Sequence, residues 1–218
     1  MFNAVIYGAS GACGREIVKQ MHASDKWENV FVVTRRMIPF FEEYKDDPKL
    51  HFVLSQDIMD LDALKEKIGK KRIDAVISAL GSRTGAGKEI FTLVDKTYVL
   101  QSLDYAKILD AKYFSHISAI GTNSKSCFLY ARVKGECEDE LKKRDFTNIM
   151  FSKPGLLIER DNDYRTVETV FSWVPFLSKI TAAQVATAHI RDAEIILSKK
   201  SEEGCRVLTN KDLLELAK

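Results

Sequence analysis

The N-terminal stretch of the chain changes from a strand-like to a helix-like hydrophobic pattern across a short glycine-rich segment. Residues 4–7 form a continuous apolar run, and the apolar positions of residues 17–21 recur at the spacing of one helical face. Between the two runs, Gly8, Gly11 and Gly14 recur at every third position. The pattern therefore predicts a strand, a tight glycine turn and a helix.

Apolar runs and amphipathic segments alternate along the rest of the chain. Strands are predicted at residues 30–33, 51–54, 74–80, 113–117, 148–152 and 205–208, and helices at residues 61–68, 89–110, 182–197 and 211–217. The proline-bearing segment 37–49 is expected to be irregular, and Asn210 is expected to cap the last helix. The alternation predicts an α/β fold, a three-layer, doubly wound parallel sheet with right-handed crossovers.

Length and composition indicate one domain. The chain has 218 residues, 45% of them hydrophobic, and no proline-rich or glycine-rich linker divides it. We therefore expect a single unit over residues 1–218. Its cofactor-binding half is expected at residues 1–153 and a small substrate-side part at residues 154–218.

Charge and targeting signals narrow the function classes. Lys plus Arg is 33 and Asp plus Glu is 31, a formal net charge of +2, so neither a nucleic-acid nor a membrane partner is expected. No signal-peptide pattern or membrane-length apolar run is visible, which favours a cytoplasmic protein. The four cysteines lack paired spacing and the four histidines lack neighbouring ligands, so reduced thiols and no metal site are expected.

The glycine turn is typical of a phosphate site. A strand that leads through such a turn into a helix directs backbone N–H groups and the positive end of the helix dipole at one point. Glycine removes the side chains that would block a pyrophosphate there. The alternative is an ordinary glycine-rich turn, but the position after a strand and before a helix favours a dinucleotide site.

Two arginines at the end of the second predicted strand indicate which dinucleotide is bound. An acidic residue at this strand end suits the ribose 2′-hydroxyl of NAD, whereas arginine suits the 2′-phosphate of NADP. Arg35 and Arg36 occupy the position and no acid is present, so NADP(H) is expected to be preferred over NAD(H). The alternative is a solvated basic pair in a loop.

The ends of the third and fourth predicted strands complete the candidate cofactor edge. Asp57 and Ile58 are expected beside the adenine ring, unless Asp57 or Asp60 instead caps the helix that follows. Leu80 and Gly81 end the fourth strand, where a small residue indicates close passage of the cofactor.

Three polar residues farther along the chain form the candidate catalytic set. Ser118 follows the fifth predicted strand, and Tyr130 and Lys134 are four residues apart on the next segment, so on a helix they share one face. A tyrosine and a lysine at this spacing also arise by chance on helix surfaces. The serine at a strand end and the glycine turn upstream favour catalysis.

Together these motifs resemble the short-chain dehydrogenase/reductase superfamily, and the glycine spacing resembles its atypical branch. Still closer is the similarity to the Tat-interacting-protein-like oxidoreductases, carried by the stretches GASGACGR, TRR, VDKTYVLQS, FLYARVKGE and KPGLL. The resemblance implies a Rossmann fold over essentially the whole chain. It also implies an NADP(H)-dependent oxidoreductase.

In that family's chemistry, a hydride moves between the nicotinamide and a carbonyl carbon while a proton moves to or from the carbonyl oxygen. The resemblance implies that Tyr130 is the proton donor, that the Lys134 ammonium stabilises its phenolate, and that Ser118 bonds the substrate oxygen. A free tyrosine has a pKa near ~10, which is why a neighbouring cation is needed.

The resemblance also implies further cofactor contacts. In addition to Tyr130 and Lys134, these are Ser10, Ala12, Cys13, Gly155, Leu156, Leu157 and Arg165. Two features depart from the family. Lys153 stands where an arginine is often found, and residues 89–110 lack the asparagine that completes the proton relay of larger relatives.

Two functions are compatible with these observations. The first is reduction of a small carbonyl substrate, with Phe171, Trp173 and Phe176 as an apolar pocket wall or, alternatively, as core residues. The second is a regulator that binds NADPH and docks on a protein partner. The Ser118, Tyr130 and Lys134 set favours the enzyme, because a sensor does not need a proton donor.

Overall fold

A computed structural model of the chain describes residues 1–158, 178–201 and 203–218. The strands are β1 (Phe2–Tyr7), β2 (Trp27–Thr34), β3 (Leu50–Leu54), β4 (Ala75–Ser78), β5 (Tyr113–Ile117), β6 (Asn148–Lys153), β7 (Leu156–Ile158), β8 (Lys179–Thr181) and β9 (Gly204–Thr209). The helices are α1 (Ala12–Ala23), α2 (Pro39–Glu42), α3 (Leu61–Ile68), α4 (Lys88–Thr92), α5 (Tyr98–Ile108), α6 (Leu129–Lys142), α7 (Ala182–Lys199) and α8 (Asn210–Leu216). A 3₁₀ turn covers Thr84–Ala86, and a π-helical turn, Leu93–Thr97, joins α4 to α5.

A seven-stranded sheet forms the centre of the fold, in the order β3-β2-β1-β4-β5-β6-β9. Every neighbouring pair in it is parallel. The chain builds outward from β1 in one direction and then from β4 in the other, so the strand order reverses between these two strands. In open parallel sheets, ligands bind at the carboxyl ends of the strands beside such a reversal. β7 and β8 form a separate parallel pair.

Helices cover both faces of the sheet. Apolar residues of α1, α7 and α8 pack on one face, among them Ile17 and Val185. Apolar residues of α3, α5 and α6 pack on the other, among them Leu64, Leu103 and Leu141. The predicted three-layer, doubly wound α/β fold is therefore confirmed. Within the described residues, no helix is both long enough and apolar enough to cross a bilayer.

The turn after β1 is pressed between β4 and α1. Gly8 has a φ of +76°, and a Cβ atom there would lie 2.5 Å from the Ala79 carbonyl. A Cβ atom on Gly14 would collide with the Gly8 carbonyl oxygen. Glycine at both positions is thus required by the backbone itself, and this close contact fixes the start of α1 over the end of β4.

Several local features differ from the sequence predictions. Pro39 starts the short helix α2 inside the segment expected to be irregular, and the helix expected over residues 89–110 is interrupted by the π-helical turn. The expected capping role of Asn210 is wrong. Thr209 caps α8 through a reciprocal bond with Asp212, and Asn210 is buried in its first turn.

A buried histidine connects α7 to the sheet. His189 Nδ1 lies 3.0 Å from Ser115 Oγ on β5, and its Nε2 lies 2.8 Å from Ser152 Oγ on β6. Burial lowers the pKa of His189 to about 4, an effect that Asp192 only partly offsets. The imidazole is therefore neutral in the folded protein at neutral pH.

His189 makes stability depend on pH below neutrality. An unfolded histidine binds a proton below its pKa of 6.5, whereas His189 in the fold binds one only near pH 4. The free energy of unfolding is therefore highest above pH 6.5 and falls as the pH drops from 6.5 towards 4. One pKa unit corresponds to ~1.4 kcal/mol, so this residue removes about 2 kcal/mol between pH 7 and pH 5.

Urea unfolding of the wild type and of His189→Gln at both pH values measures this contribution. Glutamine can form hydrogen bonds with both Ser115 and Ser152 but does not titrate. The variant is therefore expected to lose the part of the pH dependence of stability that His189 contributes. His116, which is also buried with its pKa held below the ordinary value, is common to both proteins. The same pH dependence in both would contradict the assignment.

Candidate active site

The turn between β1 and α1 leaves space at the start of a helix. Gly11 is the N-cap of α1, and among the described residues no side chain caps this helix end. If a Cβ atom were added to Gly11, its nearest neighbour among the described residues would be the Gly8 carbonyl oxygen, at an ordinary contact distance of 3.4 Å. Packing therefore requires glycine at Gly8 and Gly14 but not at Gly11. Uncapped N–H groups at a helix start are donors of the kind that bind phosphates.

The other predicted residues of this turn surround Gly11. Ser10 is exposed and Ala12 is half-buried, whereas the Cys13 side chain belongs to the hydrophobic core. Cys13 can therefore contact a phosphate only through its backbone N–H. Arg15 Nη1 donates a hydrogen bond to the Ser10 carbonyl at 3.1 Å, which places a positive charge beside the turn. Sequence reasoning had not singled out this arginine.

The ends of β2 and β3 present the predicted adenosine contacts. Arg35 and Arg36 are both exposed, and the Thr34 hydroxyl donates to the Arg36 carbonyl at 3.0 Å. Asp57 is exposed, with its Oδ1 accepting the Met59 N–H at 2.9 Å. The strand ends therefore carry two arginines on one strand and an acid on the next.

For the segment after β3, a helix cap by Asp57 or Asp60 was the alternative to an adenine contact, and Asp60 is the residue that forms the cap. Asp60 caps α3 and accepts the Ala63 N–H, so Asp57 is not needed for that purpose. Ile58 is half-buried next to it. At the end of β4, the Leu80 side chain belongs to the core and Gly81 is exposed. Leu80 can therefore reach a ligand only through its backbone.

Helix α6 carries the predicted catalytic tyrosine and lysine on one face, as their spacing predicts. Lys134 Nζ lies 5.6 Å from the centre of the Tyr130 ring, and the ring packs against Phe91 with 5.8 Å between centroids. Lys134 is buried, whereas Tyr130 is half-buried. Glu138 continues the same face one turn later. The three side chains form a polar row beside the ends of β4 and β5.

Lys134 is paired with a buried acid on the neighbouring π-helical turn. Its Nζ lies 2.9 Å from Asp95 Oδ1. Burial alone would lower the pKa of the Lys134 ammonium. The Asp95 carboxylate, with smaller contributions from Tyr130 and Cys137, more than offsets this effect, and the pKa lies above its ordinary value. Lys134 is therefore charged at neutral pH, as stabilisation of a phenolate requires.

Ser118 is paired with the second buried acid of the site. Its hydroxyl lies 2.6 Å from Glu138 Oε1, which also accepts from the Thr122 hydroxyl at 2.6 Å. Glu138 Oε2 lies 2.7 Å from Lys153 Nζ. Lys153, the residue that departs from the family's arginine, thus provides the cation for Glu138.

This arrangement limits what Ser118 can offer to a ligand. A carboxylate only accepts hydrogen bonds, so Ser118 must donate its single hydrogen to Glu138. Its oxygen then has only acceptor capacity left. In this state Ser118 can accept a hydrogen bond from the hydroxyl of an alcohol. It can donate a hydrogen bond to a carbonyl oxygen only after its bond to Glu138 has broken. Tyr130 is thus the better placed donor for a carbonyl.

Asp95 and Glu138 were missed by sequence reasoning, although each has a signal in the sequence. Asp95 lies four residues after Phe91 and four before Val99, both buried, so it places a charge on an apolar helical face. Glu138 extends the spacing of Tyr130 and Lys134 by another four residues. In both cases the clue is an acid that periodicity places on the packed face of a helix.

The segment after β6 is fixed by contacts within the protein. The Gly155 N–H donates to Asn210 Oδ1 at 2.7 Å, and a Cβ atom on Gly155 would collide with the Ser178 carbonyl. Leu156 and Leu157 are half-buried in β7. The predicted contacts Arg165, Phe171, Trp173 and Phe176 lie outside the described residues.

Comparison with known proteins identifies the family. Residues 8–193 match a family described as NAD(P)H-binding. The rat protein named Protein HTATIP2 is 32% identical over 155 residues, which cover 70% of this chain and 62% of the rat protein. The matched part thus spans less than two thirds of that relative's length.

A yeast relative and a solved structure match nearly the whole chain. Protein FMP52, mitochondrial, from Lodderomyces elongisporus is 26% identical over 227 residues, which cover 97% of this chain and 95% of that protein. The UDP-N-acetylglucosamine 4-epimerase from Methanobrevibacter ruminantium superposes with a TM-score of 0.71 at 17% identity, covering 95% of this chain and 76% of the epimerase chain. At this identity the structural similarity shows the fold alone.

The expectation of a cytoplasmic protein is wrong. Relatives from Lodderomyces elongisporus, Scheffersomyces stipitis and Candida albicans, which match nearly the whole chain, are named as mitochondrial proteins. The cytoplasmic expectation rested on the lack of a visible signal-peptide pattern, and such a lack does not distinguish the cytoplasm from an organelle.

The resemblance drawn from the glycine turn and the tyrosine–lysine segment is confirmed by these comparisons. The family match covers most of the chain, from the glycine turn to α7. The fold it requires, a parallel sheet between two helix layers, is the fold observed. The chain belongs to the NAD(P)H-binding family and has the Rossmann fold that the resemblance implies.

Proposed function

We propose that the protein is an NADP(H)-dependent oxidoreductase that transfers a hydride to a small carbonyl substrate, with Tyr130 as the proton donor. The observation that carries the proposal is the charged, buried Lys134 beside Tyr130, at the carboxyl edge of the sheet of an NAD(P)H-binding protein. A surface pair of tyrosine and lysine would not need a buried counter-ion.

The residues that would hold the dinucleotide follow the carboxyl edge of the sheet. The backbone around Gly11 suits the pyrophosphate, Arg35 and Arg36 suit a 2′-phosphate, and Asp57 suits the adenine amino group. The further proposed contacts are Gly8, Ser10, Ala12, Cys13, Gly14, Ile58, Leu80, Gly81, Tyr130, Lys134, Gly155, Leu156, Leu157 and Arg165. When bound, the cofactor supplies or accepts the hydride.

The protein's own residues handle the proton. Tyr130 donates its phenolic proton to the carbonyl oxygen, and the Lys134 ammonium stabilises the phenolate that remains. Ser118 donates its own hydrogen to Glu138 and accepts a hydrogen bond from the hydroxyl of the alcohol product. Asp95 contacts Lys134, and Glu138 accepts a hydrogen bond from Ser118, so the two acids hold these side chains in position.

Substitutions at two glycines of the turn, Gly11 and Gly14, test cofactor binding and folding separately. Serine is a good N-cap and Gly11 has room for a Cβ atom, so Gly11→Ser is expected to keep the stability of the free protein. The same change is expected to weaken NADPH binding at least tenfold, roughly 1.4 kcal/mol, because its side chain enters the proposed pyrophosphate space.

The matched change at Gly14 acts on the fold instead. Gly14→Ser forces a side chain against the Gly8 carbonyl and is expected to cost about 1–3 kcal/mol of stability. Thermal unfolding and fluorescence titration with NADPH measure both effects. Unchanged NADPH affinity in Gly11→Ser would contradict the proposed cofactor site.

The arginine pair is expected to set the cofactor preference. NADPH should raise the melting temperature more than NADH at equal concentration, because the ligand with the lower Kd stabilises the folded protein more. A hydrogen bond to a charged group contributes roughly 1.5–3 kcal/mol, so Arg35→Ala or Arg36→Ala should weaken NADPH binding about tenfold or more. NADH binding should stay unchanged in both variants.

Lys70→Ala, which removes an exposed cation after α3, serves as the control and should leave both affinities as they are. Thermal shift and calorimetric titration with each cofactor provide the comparison. Equal shifts by NADPH and NADH in the wild type would refute the role of Arg35 and Arg36.

Tyr130→Phe removes only the hydroxyl that the mechanism uses. General acid catalysis contributes roughly 10²–10⁴-fold. The rate of NADPH oxidation with a panel of aldehydes, ketones and quinones should therefore fall at least about 100-fold. NADPH affinity should remain nearly unchanged. Tyr98→Phe, at another half-buried tyrosine, is the matched control and should retain activity.

An active Tyr130→Phe variant would exclude this residue as the proton donor. A wild type that is inert with the whole panel but binds NADPH would contradict the enzyme. It would favour the regulator that docks on a protein partner.

A further inference from the structure

Lys134 and Asp95 form an ion pair that is withdrawn from water. The Lys134 side chain is 7% exposed and that of Asp95 is 0% exposed. Because removing two charges from water offsets most of their attraction, a buried pair adds little stability compared with well-packed apolar residues. The presence of the pair therefore points to a role for the charge itself.

Asp95 is held on its other side by the loop after β4. Its Oδ2 accepts hydrogen bonds from the Ser82 N–H at 2.7 Å and from the Ser82 hydroxyl at 2.8 Å. Ser82 directly follows Gly81, which the proposed function places against the cofactor. One carboxylate thus connects the cofactor loop to Lys134.

The π-helical turn brings Asp95 to this position. Such turns insert one residue into a helix and are found frequently at functional sites. Leu93–Thr97 separates α4 from α5, and Asp95 is the middle residue of the turn. The next residue, Lys96, pairs with Glu136 of α6 at 2.7 Å. Two neighbouring ion pairs of opposite polarity therefore fix the turn against α6.

We propose that Asp95 is the positioning residue of the active site, which fixes the Lys134 ammonium beside Tyr130. The proposal rests on the proposed function, because that function gives Lys134 its task in proton transfer. Asp95 does not touch the reacting atoms and acts through Lys134. Its second bond, to Ser82, makes the position of Lys134 depend on the loop that the cofactor is proposed to contact.

The groups that face Lys134 support this assignment. Asp95 raises the pKa of the ammonium against the effect of burial, with smaller contributions from Tyr130 and Cys137. His116 on β5 stays neutral, because burial and the Lys134 charge hold its pKa well below the ordinary value. Among the described residues, Asp95 is thus the acid in direct contact with Lys134.

The other charged groups of the surrounding elements are paired elsewhere. Lys96 pairs with Glu136, and Glu138 pairs with Lys153. If Asp95 loses its charge, none of these pairs has to break. The effect of such a change should therefore be confined to Lys134.

Asp95→Asn tests the proposal, because it keeps the size of the side chain and an acceptor for Ser82 but removes the charge. The first measurement needs no cofactor and no turnover. It follows the Lys134 signal in the NMR spectrum of protein with ¹³C-labelled lysine as the pH is raised, with the signal assigned by Lys134→Arg. Wild-type Lys134 should stay charged up to the ordinary lysine value of 10.5, whereas in Asp95→Asn its titration midpoint should fall below that value.

The second measurement is the pH profile of NADPH oxidation with the best carbonyl substrate of the panel. Asp95→Asn should lower kcat at least about tenfold at neutral pH, because it withdraws part of the acid–base catalysis. It should also move the alkaline limb of the profile relative to the wild type, because Lys134 then loses its proton at a lower pH. A purely structural role would lower activity without moving this alkaline limb.

Glu136→Gln is the matched control, because it removes the neighbouring ion pair between the same two segments. The Lys134 titration and the pH profile should both stay as in the wild type. If Asp95→Asn does not fold, Ser82→Ala removes one of the bonds that hold Asp95 in place and should shift the Lys134 midpoint by a smaller amount, and an unchanged midpoint in this variant would count against the inference.

An unchanged Lys134 titration in Asp95→Asn would overturn the inference, whatever the activity. A shifted titration in a protein that oxidises NADPH with no carbonyl compound would support the inference about Asp95 while contradicting the proposed function. The two failures are therefore distinguishable.

Discussion

The ion pair between Lys134 and Asp95 is the interaction on which the organisation of the site depends. Both charges are taken out of water, and each is the counter-ion of the other. The pair joins α6 to the π-helical turn, and through Ser82 it joins both to the end of β4. It thereby holds Tyr130, on the same face of α6 as Lys134, beside the edge of the sheet where ligands of this fold bind.

Glu138 gives the same face of α6 a second anchor. It binds Ser118 at the end of β5 and Lys153 at the end of β6, so the helix is fixed across two neighbouring strands. A close backbone contact helps, because a side chain on Gly135 would collide with Ser124 in the preceding loop. The polar groups proposed to act on substrate are thus supported from behind by carboxylates that do not touch it.

The fold itself followed from the sequence because its signals are local. The apolar runs that become β1, β5 and β6 and the periodic segment of α3 carry their own patterns, and alternation of the two gives a doubly wound sheet. The glycine turn was equally readable, since Gly8 and Gly14 are imposed by contacts between adjacent elements. Ser118, Tyr130 and Lys134 could be singled out as candidates, because residue type and spacing carry the signal for them.

The supporting residues could not be identified in the same way, because their roles depend on contacts between distant segments. The partner of Asp95 lies on another helix, and Glu138 binds residues from two separate segments, the loop after β5 and the end of β6. Asn210 shows the same limitation: its residue type suggested a helix cap, but in the fold it binds Gly155 and Ser178. The cellular location is not a matter of folding at all, and only the relatives corrected it.

The most direct test of the account is a crystal structure of the protein with bound NADPH. The account predicts the pyrophosphate beside Gly11 at the start of α1, the 2′-phosphate at Arg35 and Arg36, and the nicotinamide ring next to Tyr130 and Lys134. A dinucleotide bound elsewhere, or one whose nicotinamide ring lies away from Tyr130, would contradict it.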